Sequence, residues 1–299
     1  IIIALFGTAV APLVSFLAVE TALPLVLGLP IAVVAGFAVG AVLPAVAMVM
    51  LRLHQGYNLY NLGLTAGFLA LFAAALVFGG RSQPPGGELW NNEPTKLFRF
   101  LVPTVAAILI IAGLAAGKRE ALRSFGRILK FPGRLPSDFM DMASISGTLV
   151  NMGLMALLLW LYVVVVGADL NGPVLGGIFT ATGFAGFGKH PRNVAPIIVG
   201  VVLAALVFGY ELAAPGVILA VIFGTALAPL AGDFGVWIGV VAGFLHLSIV
   251  MRSGEWHAGI NLYNNGLAAG LTATLLVSLI EWYRANTSSE PRRRQRDRT

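Results

Sequence analysis

Long apolar runs separated by short polar stretches set the pattern of this chain. Ten such segments can be marked, at 1–17, 29–50, 61–79, 97–116, 144–166, 171–188, 193–210, 215–230, 235–251 and 261–283. Each is near the roughly 17–25 residues that carry a helix across a bilayer. Several sit at the lower end and contain Gly or Pro, the pattern of discontinuous helices. The pattern predicts an all-α integral membrane protein with about ten transmembrane segments.

One polar stretch occurs twice, each time opening an apolar segment. His54 to Gly67 (HQGYNLYNLGLTAG) and His257 to Gly270 (HAGINLYNNGLAAG) are identical at ten of fourteen positions without a gap. The duplication extends to Phe6–Leu13 against Phe223–Leu230, which differ only at Val10 and Leu227, and to Val34–Phe37 against Val241–Phe244. The blocks keep one order, so the chain contains two repeats. The stretch from Ser144 to Tyr210 has no counterpart, which predicts a first repeat truncated at its N-terminus. The organisation expected is an incomplete first repeat over 1–79 and an external loop, connecting helix and basic cytoplasmic loop over 80–136. A second repeat over 137–283 and a basic, disordered cytoplasmic tail over 284–299 follow.

Charge sets the orientation. Only 11% of residues are charged and 58% are hydrophobic, against about a quarter charged in soluble domains. Of the 19 Lys and Arg, six lie in 117–136 and six in 284–299, which reads as cytoplasmic under the positive-inside rule. Placing 117–136 inside puts the tail inside and also 188–193, with its two cations. Seven crossings then separate the two motifs, so the repeats are inverted. This count requires 171–188 to span rather than re-enter. The net charge of +6 has no basic folded face or aromatic interleaving behind it, so no nucleic-acid partner is expected. Cysteine is absent, which removes disulfides and thiolate metal sites.

Duplicated polar groups at helix starts mark the path of repeat-built transporters. Asn61 and Asn264 are placed to begin helices and cap them, aiming the positive helix end at a pathway. Asn58, Tyr60, Asn261 and Tyr263 would line it, with Asn171, Thr180 and Thr182 offering further polar groups. Asp169 and Asn171 are placed to cap a helix that has Pro173 in its first turn. His54 and His257 occupy equivalent positions and suit either a proton relay or a plain interfacial role. His246 lies inside a span, where an ionisable group is costly; Asp233 and Glu255 are the carboxylates available for ion coupling. No metal-ligand spacing recurs around the histidines. No metalloprotease, Walker or nucleophile-elbow motif is present, so neither cofactor nor enzyme activity is expected.

The Asn-Leu-Tyr-Asn-x-Gly-Leu-x-Ala-Gly motif in both halves, with Asp169–Pro173 and Gly186–Asn193, resembles a prokaryotic family of multipass membrane proteins built on a domain of unknown function. More distantly the layout resembles urea transporters. Gly56-Tyr57-Asn58 and the Gly63–Gly67 run are similar to their half-helix, and Asn171–Gly176 to their pore helix. Their Leu-Pro-x-x-Thr signature is absent. This resemblance implies inverted halves, a small polar solute and a possible homo-oligomer. The expectation is a bacterial inner-membrane channel or facilitator for a small neutral or anionic solute. A proton- or sodium-coupled transporter and a non-transporting structural subunit are the alternatives.

Overall fold

The computed structural model describes residues 2–21, 23–79, 90 and 96–287. The expected external loop (apart from Trp90) and the tail beyond Thr287 lie outside the described residues. Every element among the described residues is helical, because apolar chain in lipid must satisfy its own backbone groups. Eight helices are long and apolar enough to cross a membrane.

The chain opens with α1 (Ile2–Gly7), a 3-10 turn (Thr8–Val10) and α2 (Ala11–Ser15). α3 (Leu25–Leu53) and α4 (Asn61–Phe78) complete the first half. α5 (Lys96–Ile128) breaks at Lys118, whose φ is 48°. The basic stretch expected as a loop from 117 is therefore helical to Ile128. The reason is local: Ala121, Ser124 and Ile128 recur at helical spacing and are buried, while Arg123 and Arg127 pair with Glu120 at the exposed face. After a short α6 (Phe139–Met142), α7 (Ile145–Val165) packs along α5.

α8 (Gly172–Phe184) has 13 residues, shorter than the about 20 of a full crossing. It starts where Asn171 accepts a hydrogen bond from the Val174 N–H at 3.2 Å. α9 (Pro191–Phe208) follows, then α10 (Pro215–Gly224), a 3-10 turn (Thr225–Leu227) and α11 (Ala228–Phe234). α12 (Val236–Trp256) packs on α9, and α13 (Asn264–Thr287) packs on α4 and α12. Phe37, Leu76 and Trp237 are exposed; on a membrane protein such side chains face lipid.

The two duplicated blocks fold alike. Pro12 and Pro229 have no N–H for the carbonyl four residues back, which belongs to Thr8 and Thr225. The chain tightens instead, and the N–H of Ala11 and of Ala228 bonds those Thr carbonyls in 3-10 fashion. Each broken span thus has its kink at the same sequence position.

α4 and α13 meet through their first turns. Leu64 lies against Gly270 and Leu267 against Gly67, on either side of the contact between Gly63 and Gly266. A Cβ on Gly63 would stand 2.7 Å from the Gly266 Cα and would strike the Tyr263 ring. Gly63→Val or Gly266→Val is expected to cost about 1–3 kcal/mol or more, read as a lower unfolding temperature of the purified protein. Gly40→Ala, where nothing lies within 4 Å, should be close to neutral. Equal tolerance of all three would mean that α4 and α13 do not touch here.

Candidate functional site

The duplicated loops 54–60 and 257–263 converge where α4 and α13 begin. Each turns through the same two positive-φ residues, Gln55 (50°) and Gly56 (83°) in one, Ala258 (49°) and Gly259 (76°) in the other. In each, the leading histidine reaches the asparagine seven residues on. His54 Nε2 lies 2.9 Å from Asn61 Oδ1, and His257 Nε2 lies 2.6 Å from Asn264 Oδ1. His54 Nδ1 accepts the Asn58 N–H at 3.2 Å, so its proton sits on Nε2 and is donated to the asparagine oxygen.

Each loop then bonds to the kink of the other half. The Leu59 N–H donates to the Ala226 carbonyl at 3.0 Å, and the Leu262 N–H donates to the Ala9 carbonyl at 2.8 Å. The aromatic contacts include the same exchange, with Tyr263 also lying 5.1 Å from Phe223 of its own half. Tyr60 lies 6.1 Å from Phe223 and Tyr263 lies 6.1 Å from Phe6, centroid to centroid. Tyr60 and Tyr263 face each other at 5.8 Å.

Among the residues singled out from sequence, Asn58, Tyr60, Asn61, Asn261, Tyr263 and Asn264 come together in these loops. Asn61 and Asn264 open their helices, but neither is an N-cap. The residue before α4 has no side-chain cap, and both amide oxygens face histidine. Asn58 Nδ2, both side-chain atoms of Asn261 and the Tyr263 hydroxyl are buried without a hydrogen-bond partner in the protein. Asn171 caps α8, and the Thr182 hydroxyl donates to the Ile178 carbonyl of its own helix. Thr180 lies half-buried on α8. His246 is buried in α12 with Nε2 at 3.1 Å from Asn265 Oδ1. Glu255 is exposed, and Asp233 is exposed while accepting the Tyr57 hydroxyl at 2.8 Å.

Lys189 was not legible as part of this site. Its stretch reads as a cytoplasmic loop with two cations, yet the side chain is fully buried. Nζ donates to the Tyr60 hydroxyl and, at 2.8 Å, to the Thr225 hydroxyl in the kink between α10 and α11. It stands 4.1 Å from the centre of the Tyr60 ring and 5.5 Å from that of Phe184. The surrounding sequence offers one signal in retrospect. His190 and Asn193 form a reciprocal cap on α9, and that cap aims the preceding lysine back into the bundle.

The segment 131–136 covers the Lys189 loop. His190 Nε2 donates to the Phe131 carbonyl at 2.9 Å, and Gly133 backs directly onto Gly188. Arg134 donates to the Gln55 carbonyl at 2.7 Å and to the Tyr57 hydroxyl at 3.2 Å. Burial, with help from the Asp233 carboxylate, pushes the Tyr57 phenol up to about 12. Burial holds His190 down at about 4, with Arg192 adding to this and the Phe131 carbonyl opposing it.

Long apolar helices, kinked spans and a polar centre reached from loops of both halves define a multipass membrane protein. The chain belongs to the family described as a protein of unknown function (DUF1576), whose match takes in residues 1–78 and 117–282. No curated protein and no solved structure matches it.

Removing the asparagine that faces a buried histidine leaves its N–H unpaired. Asn61→Leu and Asn264→Leu are each expected to cost about 1–3 kcal/mol, measured as loss of thermal stability; no change in either would remove the His–Asn pairs from the structural account. His190 binds a proton more readily unfolded than folded, so its contribution is complete above pH 6.5 and is lost as pH falls toward 4. The loss amounts to at most about 3 kcal/mol. His190→Asn keeps a good cap and should flatten the fall in unfolding temperature over that range. An unchanged slope would assign the acid sensitivity elsewhere.

Proposed function

We propose that this protein is a membrane transport protein of two inverted halves, a channel or facilitator for a small polar solute, whose path passes the point where α4 and α13 cross. The observation that carries this reading is the reciprocal hydrogen bonding of each duplicated loop to the other half's kink, Leu59 to Ala226 and Leu262 to Ala9. A two-fold exchange of equivalent elements around a polar centre is the arrangement of inverted-repeat transporters. With residues 117–136 and the tail assigned to the cytoplasm of a bacterial inner membrane, the inverted arrangement requires α5, α7, α8, α9, α10–α11 and α12 each to cross the bilayer between α4 and α13.

The polar centre has the donors such a path requires. Thr225 lies midway along the Pro215–Phe234 span, and the buried Lys189 donates to its hydroxyl and to that of Tyr60. The buried amides of Asn58 and Asn261 at equivalent positions have groups left over for a solute. The urea-transporter resemblance agrees with inverted halves and a small polar solute. Proton coupling is the second reading, favoured by His246, an ionisable group within a span whose Nδ1 has no partner.

Stopped-flow uptake into proteoliposomes tests the proposal, with urea, acetamide and sodium formate offered with and without a proton gradient. The expected result is flux above that of protein-free vesicles, independent of the gradient and cut at least several-fold by Asn261→Leu. That change removes no hydrogen bond within the protein, so the fold should survive it. Dependence on the gradient would replace the facilitator with the coupled transporter. Absence of flux for every solute would sink the transport reading.

A further inference from the structure

Lys189 is the only buried Lys, Arg, Asp or Glu among the described residues. The groups within hydrogen-bond reach of its ammonium are two neutral hydroxyls, and the rings beside it are Tyr60 and Phe184. Burial pushes the Lys189 amine well below its usual value, so its charged form would need an anion beside it; the pairs of Glu120 with Arg123 and Arg127 lie far from it in sequence, on the exposed face of α5. The groups beside Tyr60 are biased the same way. The Asn58 amide, two residues before Tyr60, has Nδ2 buried and without a partner while its Oδ1 is held by the Tyr60 N–H at 3.0 Å. The Tyr263 hydroxyl, on the ring facing Tyr60, is likewise buried without a partner. The Thr225 hydroxyl already donates to the Ile222 carbonyl at 2.6 Å, so the donors an anion would meet at the lysine are Nζ and the Tyr60 hydroxyl, with no fixed anion among the groups that contact them.

We infer that Lys189, with the hydroxyl of Tyr60, binds a small monovalent anion as the counter-ion its charged form lacks. The inference rests on the transport reading and names the solute class of that site. The chemistry narrows the ligand. A single lysine balances one negative charge, so a divalent ion would remain half uncompensated. Ring faces on two sides offer no replacement for a tight hydration shell, which favours weakly hydrated ions such as nitrate or formate over strongly hydrated ones. A bare metal cation would meet the ammonium's repulsion.

Thermal unfolding of the full chain in detergent tests this without requiring transport. Sodium nitrate, formate and chloride would be titrated at constant ionic strength against sodium sulfate. Saturable stabilisation by at least one monovalent anion is expected. It should vanish in Lys189→Met and weaken about tenfold in apparent affinity in Tyr60→Phe, which deletes one donor but keeps the ring. The Tyr60→Phe arm decides the matter if Lys189→Met fails to fold. No saturable anion effect on the native chain, or an effect unaltered in Tyr60→Phe, would overturn the assignment. Uptake of urea or acetamide together with no anion binding would overturn the anion site and leave the transport reading standing. Anion binding lost in these variants, with no flux of any solute, would do the reverse.

Discussion

Two helices that start near the middle of this molecule can touch only because neither has a side chain at the point of contact. The Gly63 and Gly266 α-carbons come so close that a single methyl on either would strike the other backbone. That approach fixes where α4 and α13 begin, and so fixes the loops that lead into them. Because the loops are duplicated, the same Gln/Ala-Gly turn delivers each histidine onto its asparagine. The pairing in turn pins the first residue of each helix. A bulky residue at the crossing would therefore displace both loops and both kinks together.

The kinks extend this dependence across the halves. A proline after the 3-10 turn removes one donor from each broken span, and the turn that results presents the carbonyls of Ala9 and Ala226 to the loops opposite. Neither broken span contributes only to its own half. α10–α11 is held at its centre by the first half's loop, and the short α1–α2 run by the second half's loop. A hydrogen bond of this kind contributes roughly 0.5–1.5 kcal/mol, so each is modest. Their effect is to lock relative position, since a shift of one residue would leave a buried backbone group without its partner.

Much of this arrangement could be read from the residues. The helical character, the duplicated blocks and the clustering of Asn58, Tyr60, Asn261 and Tyr263 follow from apolar run length and from identity between the halves. Three features did not. Asn61 and Asn264 look like helix caps, and they do open helices, but their side chains turn to histidine because the loop geometry brings an imidazole within reach. The basic run after Gly117 looks like a loop, yet spacing at Ala121, Ser124 and Ile128 lets it continue as a helix against α7. Lys189 looks cytoplasmic because charge counting treats every cation near a segment end as solvated. Only the cap that His190 and Asn193 place on α9, together with the contact between Gly133 and Gly188, turns that side chain inward. Those are tertiary facts with weak signatures in a single sequence.

The burial of Lys189 also separates stability from purpose in this centre. A hydrophobic residue of similar length would fill the same space without desolvating a charge, and replacing buried ion pairs by apolar groups is often neutral or stabilising. Packing alone therefore gives no reason for an ammonium there. The ring faces of Tyr60 and Phe184 offset part of the cost by cation–π attraction, and the two hydroxyls offset more. A carboxylate in place of Thr225 would offset it best, yet would also occupy the ammonium permanently. The Thr225 hydroxyl is itself held by the Ile222 carbonyl, so the lysine rests on neutral groups and meets no fixed anion among them. The Asn58 amide is half satisfied and that of Asn261 has no partner within the protein, where a site built only for rigidity would satisfy both.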